Sequence, residues 1–313
     1  MTEPSLWTRV GGKVRAIAAR ARSLRTKSAE EQLAETAAIF WDEKNQAESV
    51  YWTQHPLVMQ HVNELVTGVS WIFPTVALKA GWAFRPWKRG ISIGCGAGAL
   101  ERNLRLLNIC RRIDGFDISK ASIREAKRLA RDEGIDGIRY RVADCNVMNM
   151  GRGKYDAAFF HGSLHHIADP DGVLERVKGA LRSPGMVYLD DYVGPSRDEW
   201  TDEHLFHARE AWATVPDSLK LREVNAPLDY TDPTEMIRSS RIRPAVEQRF
   251  EILHYKPYWG NLLFPLFCTL DGAKLLAPGN EELVHDLIAR EDELVAQGVY
   301  TDPLFAVILA RKT

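Results

Sequence analysis

Three glycines on alternate positions, Gly94, Gly96 and Gly98, follow the short apolar run Gly90–Ile93 and precede an amphipathic stretch that begins at Ala99. Alternating glycines let a chain turn through positive φ and let a ligand approach the backbone with no Cβ in the way. A helix starting at Ala99 aims its free N–H groups at whatever lies over the turn. Two acids follow. Asp117 stands near the end of the next apolar run, 113–118, and Asp144 stands just past the one after it, 138–142. In doubly wound nucleotide binders a carboxylate at the first of these places accepts hydrogen bonds from two ribose hydroxyls. His161, His165 and His166 come directly after a fourth apolar run, 155–160. An imidazole titrating near neutrality can take the proton of a hydroxyl or ammonium group. Neighbours in a helical turn point to different faces, and His165 is the favoured base, with Leu164 or Ile167 on the buried side. Tyr192, with Asp190 and Asp191, ends a fifth run and can orient polar groups of a second ligand.

The elements that must position these residues alternate. Strands are expected over 90–93, 113–118, 138–142, 155–160 and 185–190, with helices over 99–107, 120–133 and 170–181 between them. Such alternation reads as an α/β fold with a parallel sheet. Two further apolar runs, 250–256 and 304–310, read as closing strands, with a helix over 281–297 between them. Asp232-Pro233 has the form of an N-cap followed by proline at the first helical position, so a helix is expected over 231–237.

Together, the glycine turn, the two acids and the histidine segment, in this order and spacing, resemble the class I S-adenosylmethionine-dependent methyltransferases over roughly residues 88–195, with a weaker echo near the C-terminus. The resemblance implies a Rossmann-like seven-stranded sheet whose antiparallel seventh strand lies between strands five and six, and S-adenosylmethionine as cofactor. It implies that Gly94, Cys95, Gly96 and Gly98 surround the methionine part, that Asp117 with Ile118 holds the ribose, and that Asp144 with Cys145 takes the adenine. The family usually has Asp or Glu two residues before the first glycine, where this chain has Ser92. Contact with the cofactor's ammonium then falls to Glu101 or to the carbonyl of Phe160 or His161. The reaction expected is methyl transfer to an oxygen, nitrogen or sulfur nucleophile of a small molecule, giving S-adenosylhomocysteine. Two alternatives stand beside it: a non-catalytic regulator that binds the same cofactor, and an NAD-dependent dehydrogenase. The dehydrogenase gives Asp144 and the histidines no task.

The domain organisation expected is a helical extension or cap over 1–85, the cofactor-binding core over 86–194, a helical substrate lid over 195–248, and closing strands with a helical insertion over 249–313. Residues 1–28 carry seven basic side chains against one acid, with apolar residues at helical spacing. They read as a basic amphipathic helix that packs on the domain or a second subunit, lies on a membrane surface, or serves as an organelle transit peptide. Tyr51, Trp52 and His55 are candidates to cover the cofactor pocket, since aromatic faces suit a sulfonium cation. Arg197 and Arg222 are candidates for an acidic acceptor.

The chain has 313 residues and a net charge of −1, so no global field draws nucleic acid, and no Asn-Pro-Pro-Tyr-like motif follows the fourth strand. Four scattered cysteines with no Cys-x-x-Cys pairing suit a reducing, cytoplasmic compartment. No apolar run is long enough for a transmembrane segment. No metal is expected: His204 and His207, at i, i+3 on an expected helix that could bring them near Asp190 and Asp191, have metal-like spacing, but histidines so spaced on a surface are commoner than ligands. A small-molecule acceptor is the partner expected, and the apolar 262–267 segment is compatible with a homodimer.

Overall fold

The computed structural model describes residues 28–44, 51–78 and 86–313. The basic N-terminal stretch therefore lies outside the described residues. Seven strands form one sheet: β1 (Gly90–Ile93), β2 (Ile113–Asp117), β3 (Ile138–Val142), β4 (Tyr155–His161), β5 (Leu181–Tyr192), β6 (Glu251–Trp259) and β7 (Phe305–Arg311). Their order is β3-β2-β1-β4-β5-β7-β6. The first five are parallel to one another, and β7 runs antiparallel to both β5 and β6. The reversal of strand order at β1 and β4 opens a crevice at their carboxyl ends, the place where open α/β sheets bind ligands.

The described helices are α1 (Ala29–Lys44), α2 (Pro56–Thr67), α3 (Pro74–Ala77), α4 (Ala99–Leu106), α5 (Lys120–Asp132), α6 (Pro170–Ala180), α7 (Asp202–Thr214), α8 (Ile242–Glu247), α9 (Leu263–Phe267), α10 (Gly272–Leu275) and α11 (Glu281–Ala296). The sheet separates two apolar layers. Ile91, Ile93, Ala158 and Phe160 pack with Val173, Leu174 and Val177 of α6 on one face. Phe159 and Tyr188 pack with Leu100 and Leu104 of α4 and with α7 and α11 on the other. This is the period of two expected of strands covered on both faces. Burying Leu100 and Leu104, four residues apart on α4, contributes roughly 2 kcal/mol each.

Two expectations change. Residues 231–237 form turns, not a helix. Met236 has φ +49°, which no helix accommodates, and the Asp232 side chain closes a local turn on the Thr234 N–H instead of capping a helix. The apolar 262–267 segment is interior to this chain: Leu262, Leu263, Phe264 and Leu266 are buried in its own core. None of the described helices is long and apolar enough to cross a membrane.

Candidate active site

The turn after β1 holds Gly94 at φ +65° and Gly96 at φ +49°. A Cβ on Gly94 would stand 2.5 Å from Ser163 Cβ, so that glycine lets the loop after β4 approach. A Cβ on Gly96 would meet nothing within 4 Å, so here the backbone is bare toward open space. Asp117, at the end of β2, accepts from Gly96 N and Ser119 N, each at 2.8 Å, which fixes both its oxygens and leaves each a lone pair for a ligand. Burial raises its pKa despite those two donors. Asp144 accepts from Asn146 N and Nδ2 with one oxygen, at 2.8 and 3.0 Å.

These groups line one cavity of about 1130 Å³, above the roughly 300–1,000 Å³ of ordinary small-molecule sites, so two ligands have room. Gly94, Gly96, Asp117, Ile118, Asp144 and Cys145 line it from the β1–β3 side. Ser163, His166, Thr234 and Arg197 line it from the β4 side, and Ala34, Ala37 and Trp41 of α1 close it. Helix α1 is tied down by Asp42, whose carboxylate accepts from Ser119 Oγ (2.7 Å) and Ala121 N (2.8 Å) at the start of α5.

The loop after β4 is built on Asp191. This buried carboxylate accepts from Ser163 N at 2.9 Å and Leu164 N at 2.7 Å, and makes a close contact with His165 Nδ1. Residues Leu164–His166 form a single 3₁₀ turn. His166 faces the cavity and sits edge-on to Trp41, ring centroids 4.8 Å apart. His165 stands behind it, centroids 3.9 Å apart. Burial lowers the His165 pKa, but the charge and hydrogen bond of Asp191, with Glu235 and Asp232 beyond, outweigh it and raise the value.

Several expected residues do other work. Gly98 adjoins Tyr140, whose hydroxyl donates to Gly98 O at 3.1 Å; its missing Cβ makes room for that ring. Cys95 N donates to Phe116 O, and its side chain packs beside Tyr140 rather than along the cavity. His161 is largely exposed, 3.7 Å from Asp190. Tyr192 is buried with its hydroxyl committed to Pro195 O at 2.9 Å. Trp52 is buried against Tyr258, Phe264 and Phe305. His55 caps α2 by accepting from Leu57 N at 3.3 Å. Tyr51 is half-exposed near Phe264 and is not among the residues that line the cavity, while its hydroxyl stands within electrostatic reach of Glu235 and Asp191. Arg197 does line the cavity, while its guanidinium donates to Pro233 O at 2.9 Å. Arg222 donates to Cys268 O at 2.9 Å. His204 bonds Thr201, His207 bonds Glu210, and Asp190 accepts from Tyr258, so these do not gather with Asp191 into one site. The residues that sequence reasoning missed are Trp41, Thr234 and the acids Asp232 and Glu235.

The chain's own groups fit S-adenosylmethionine. Gly96 leaves room for it, Asp117 and Asp144 sit at successive strand ends, and the buried Glu101 has an oxygen, Oε2, with no hydrogen-bond partner. A methyltransferase-domain family matches residues 88–246, just over half of the chain. The chain is 28% identical over 100 residues to a ubiquinone biosynthesis O-methyltransferase of Caulobacter vibrioides, covering 32% of this chain and 38% of that protein. It is 26% identical over 108 residues to an uncharacterised 37.1 kDa protein in transposon TN4556 of Streptomyces fradiae, covering 34% of this chain and 31% of that protein. It thus spans about a third of the length of these curated relatives. Among solved structures, a geranyl diphosphate methyltransferase in complex with GPP and sinefungin shares the fold, with a TM-score of 0.55 at 16% identity over 90% of this chain and all of that one. The match to the methyltransferase domain and the seven-stranded sheet with its antiparallel β7 place this chain among the class I S-adenosylmethionine-dependent methyltransferases.

Proposed function

We propose that the protein methylates an oxygen or nitrogen nucleophile of a small molecule. The observation that carries this reading is the shared cavity: the glycine turn, Asp117 and Asp144 border the same space as His166, Thr234 and Arg197. S-adenosylmethionine, when bound, supplies a methyl group already activated on a sulfonium. What remains for the chain is to orient, to exclude water and to help the acceptor lose its proton. In this reading Asp117 holds the ribose, Asp144 the adenine amino group and Glu101 the ammonium. Helix α1, with Trp41, keeps water from the reacting end. The acceptor end is built around His165 and His166 with Asp191, Asp232 and Glu235, and this cluster assists loss of the acceptor's proton. A thioether acceptor would need no such cluster. Arg197, its guanidinium engaged with carbonyl oxygens, shapes the wall there.

Calorimetry with S-adenosylmethionine and S-adenosylhomocysteine tests the cofactor, with Asp117→Ala as control. Micromolar binding of both, lost in the variant, is expected, followed by S-adenosylhomocysteine release against a panel of phenols, alcohols, amines and thioethers. No binding of either compound would overturn the reading. Turnover restricted to thioethers would overturn the role of the cluster.

A further inference from the structure

His165 and His166 are surrounded by three carboxylates. Asp191 holds His165 Nδ1, and Asp232 Oδ2 lies 3.3 Å from His166 Nδ1. Glu235 stands differently. Its Oε1 is 3.9 Å from His165 Nε2 and its Oε2 is 4.0 Å from His166 Nδ1, both beyond hydrogen-bond range. Two ligands of one cation bonded at about 2.1 Å stand roughly 3–4 Å apart; the 3.9 and 4.0 Å separations, made by the two different oxygens of Glu235, lie at the upper end of that range. One ligand atom from each of His165, His166 and Glu235 lies within 4.8 Å of the others.

A second observation points the same way. Asp232 is fully buried; its Oδ1 accepts from Thr234 N and Thr234 Oγ1 at 2.8 and 2.7 Å, while its Oδ2 makes no hydrogen bond. A buried carboxylate oxygen left in this state is costly unless a positive charge stands near it. Among the described residues, neither Asp191 nor Asp232 has a lysine or arginine against its carboxylate; besides neutral N–H and hydroxyl donors, the groups beside them that can carry positive charge are the His165 and His166 imidazoles.

We propose that His165, His166 and Glu235 bind one divalent first-row transition-metal ion at the acceptor end of the cavity. Two imidazoles and a carboxylate suit zinc, manganese or cobalt rather than magnesium or calcium, which prefer all-oxygen sites. Asp191 is the outer partner: by accepting from His165 Nδ1 it fixes the tautomer that leaves Nε2 free to ligate. Asp232 stands beside His166 and balances the ion's charge. Because His166 lines the cavity, the ion meets an acceptor oxygen there. It stabilises that oxygen's deprotonated form, the proton passing to water. This role rests on the acceptor reading given above; the site itself does not.

The test is calorimetric titration of chelator-stripped full-length protein with zinc, cobalt and magnesium, together with the visible absorption of the cobalt complex. One equivalent of zinc or cobalt is expected, bound far tighter than magnesium, with cobalt bands of an imidazole–carboxylate site. Glu235→Gln and His166→Asn lower affinity by more than about a hundredfold, and Asp191→Asn by roughly 10–100-fold. Thermal melting shows which variants are folded. Absence of one-equivalent binding, or binding unchanged in folded Glu235→Gln and His166→Asn, overturns the proposal. If those variants unfold, the wild-type cobalt spectrum decides, and a spectrum of hydrated cobalt overturns it. S-adenosylmethionine binding, measured alongside, separates the two readings: its absence overturns the methyltransferase role and leaves the metal site standing.

Discussion

Ser92 and Glu101 form one buried pair: the serine hydroxyl donates to Glu101 Oε1 at 2.5 Å, and both side chains are closed off from solvent. Strand β1 contributes the hydroxyl and helix α4 the acid. Burial pushes the Glu101 carboxyl up to about 7, more than the Ser92 hydrogen bond brings it down. The charge available near the glycine turn is therefore pH-dependent in the physiological range.

Cofactor affinity should follow that charge. An ammonium is held by the ionised carboxylate, so affinity for S-adenosylmethionine rises from about pH 6 to pH 8. In Glu101→Gln the affinity is lower and its pH dependence flatter. Calorimetry at several pH values checks this, and equal slopes in the two proteins would sink the role assigned to Glu101.

Stability of the ligand-free protein should move the other way. Between the usual glutamate range and about 7, Glu101 is protonated in the folded chain and ionised in the unfolded one. The folded state then binds the extra proton, and stability falls as pH rises through that window. A shift of this size corresponds to roughly 3 kcal/mol, present in the wild type and absent from Glu101→Gln. Urea unfolding of both proteins across the window measures the difference.

Gly96 and Gly98 make a contrasting pair. Gly96→Ala keeps the fold at a cost of about 1 kcal/mol, the penalty of a Cβ at positive φ, but weakens cofactor binding at least about tenfold. Gly98→Ala puts a Cβ 2.3 Å from Tyr140 Oη and costs about 3 kcal/mol or more. Thermal melts read beside calorimetry distinguish them; a Gly96→Ala protein that binds normally would remove Gly96 from the cofactor wall.

His166→Ala should lower turnover of an oxygen or nitrogen acceptor by roughly 10²–10⁴-fold and leave cofactor affinity unchanged. The split between kcat and S-adenosylmethionine binding is the measurement. A fall in both by the same factor would place His166 at the cofactor instead.

The core strands were legible for a physical reason. Parallel strands covered on both faces, such as Gly90–Ile93 and Tyr155–His161, read as mostly apolar runs, and the glycine turn punctuates the first of them. The antiparallel place of β7 came through resemblance, since nothing in the composition of 304–310 states its direction. The acceptor end was harder to read. Which of His165 and His166 faces the cavity depends on one 3₁₀ turn held by Asp191, a carboxylate 27 residues from Leu164 in the chain. Asp232-Pro233 is a sound helix start by local rules, yet positive φ at Met236 turned that segment inward and brought Glu235 to the histidines. Trp41 lay in a helix with a featureless pattern; its place in the wall follows from the Asp42 bonds to Ser119 and Ala121, which no spacing reveals.

That joint has a kinetic consequence. Asp42 grips Ser119 and Ala121, two and four residues beyond Asp117, so the clasp that holds α1 stands beside the acid assigned to the ribose. Swinging α1 aside breaks those two hydrogen bonds and the packing of Ala37 and Trp41, but no strand pairing. If the spent cofactor leaves past α1, its residence time follows how often that clasp opens, and the pace at which the site resets is set by α1, outside the chemistry it encloses.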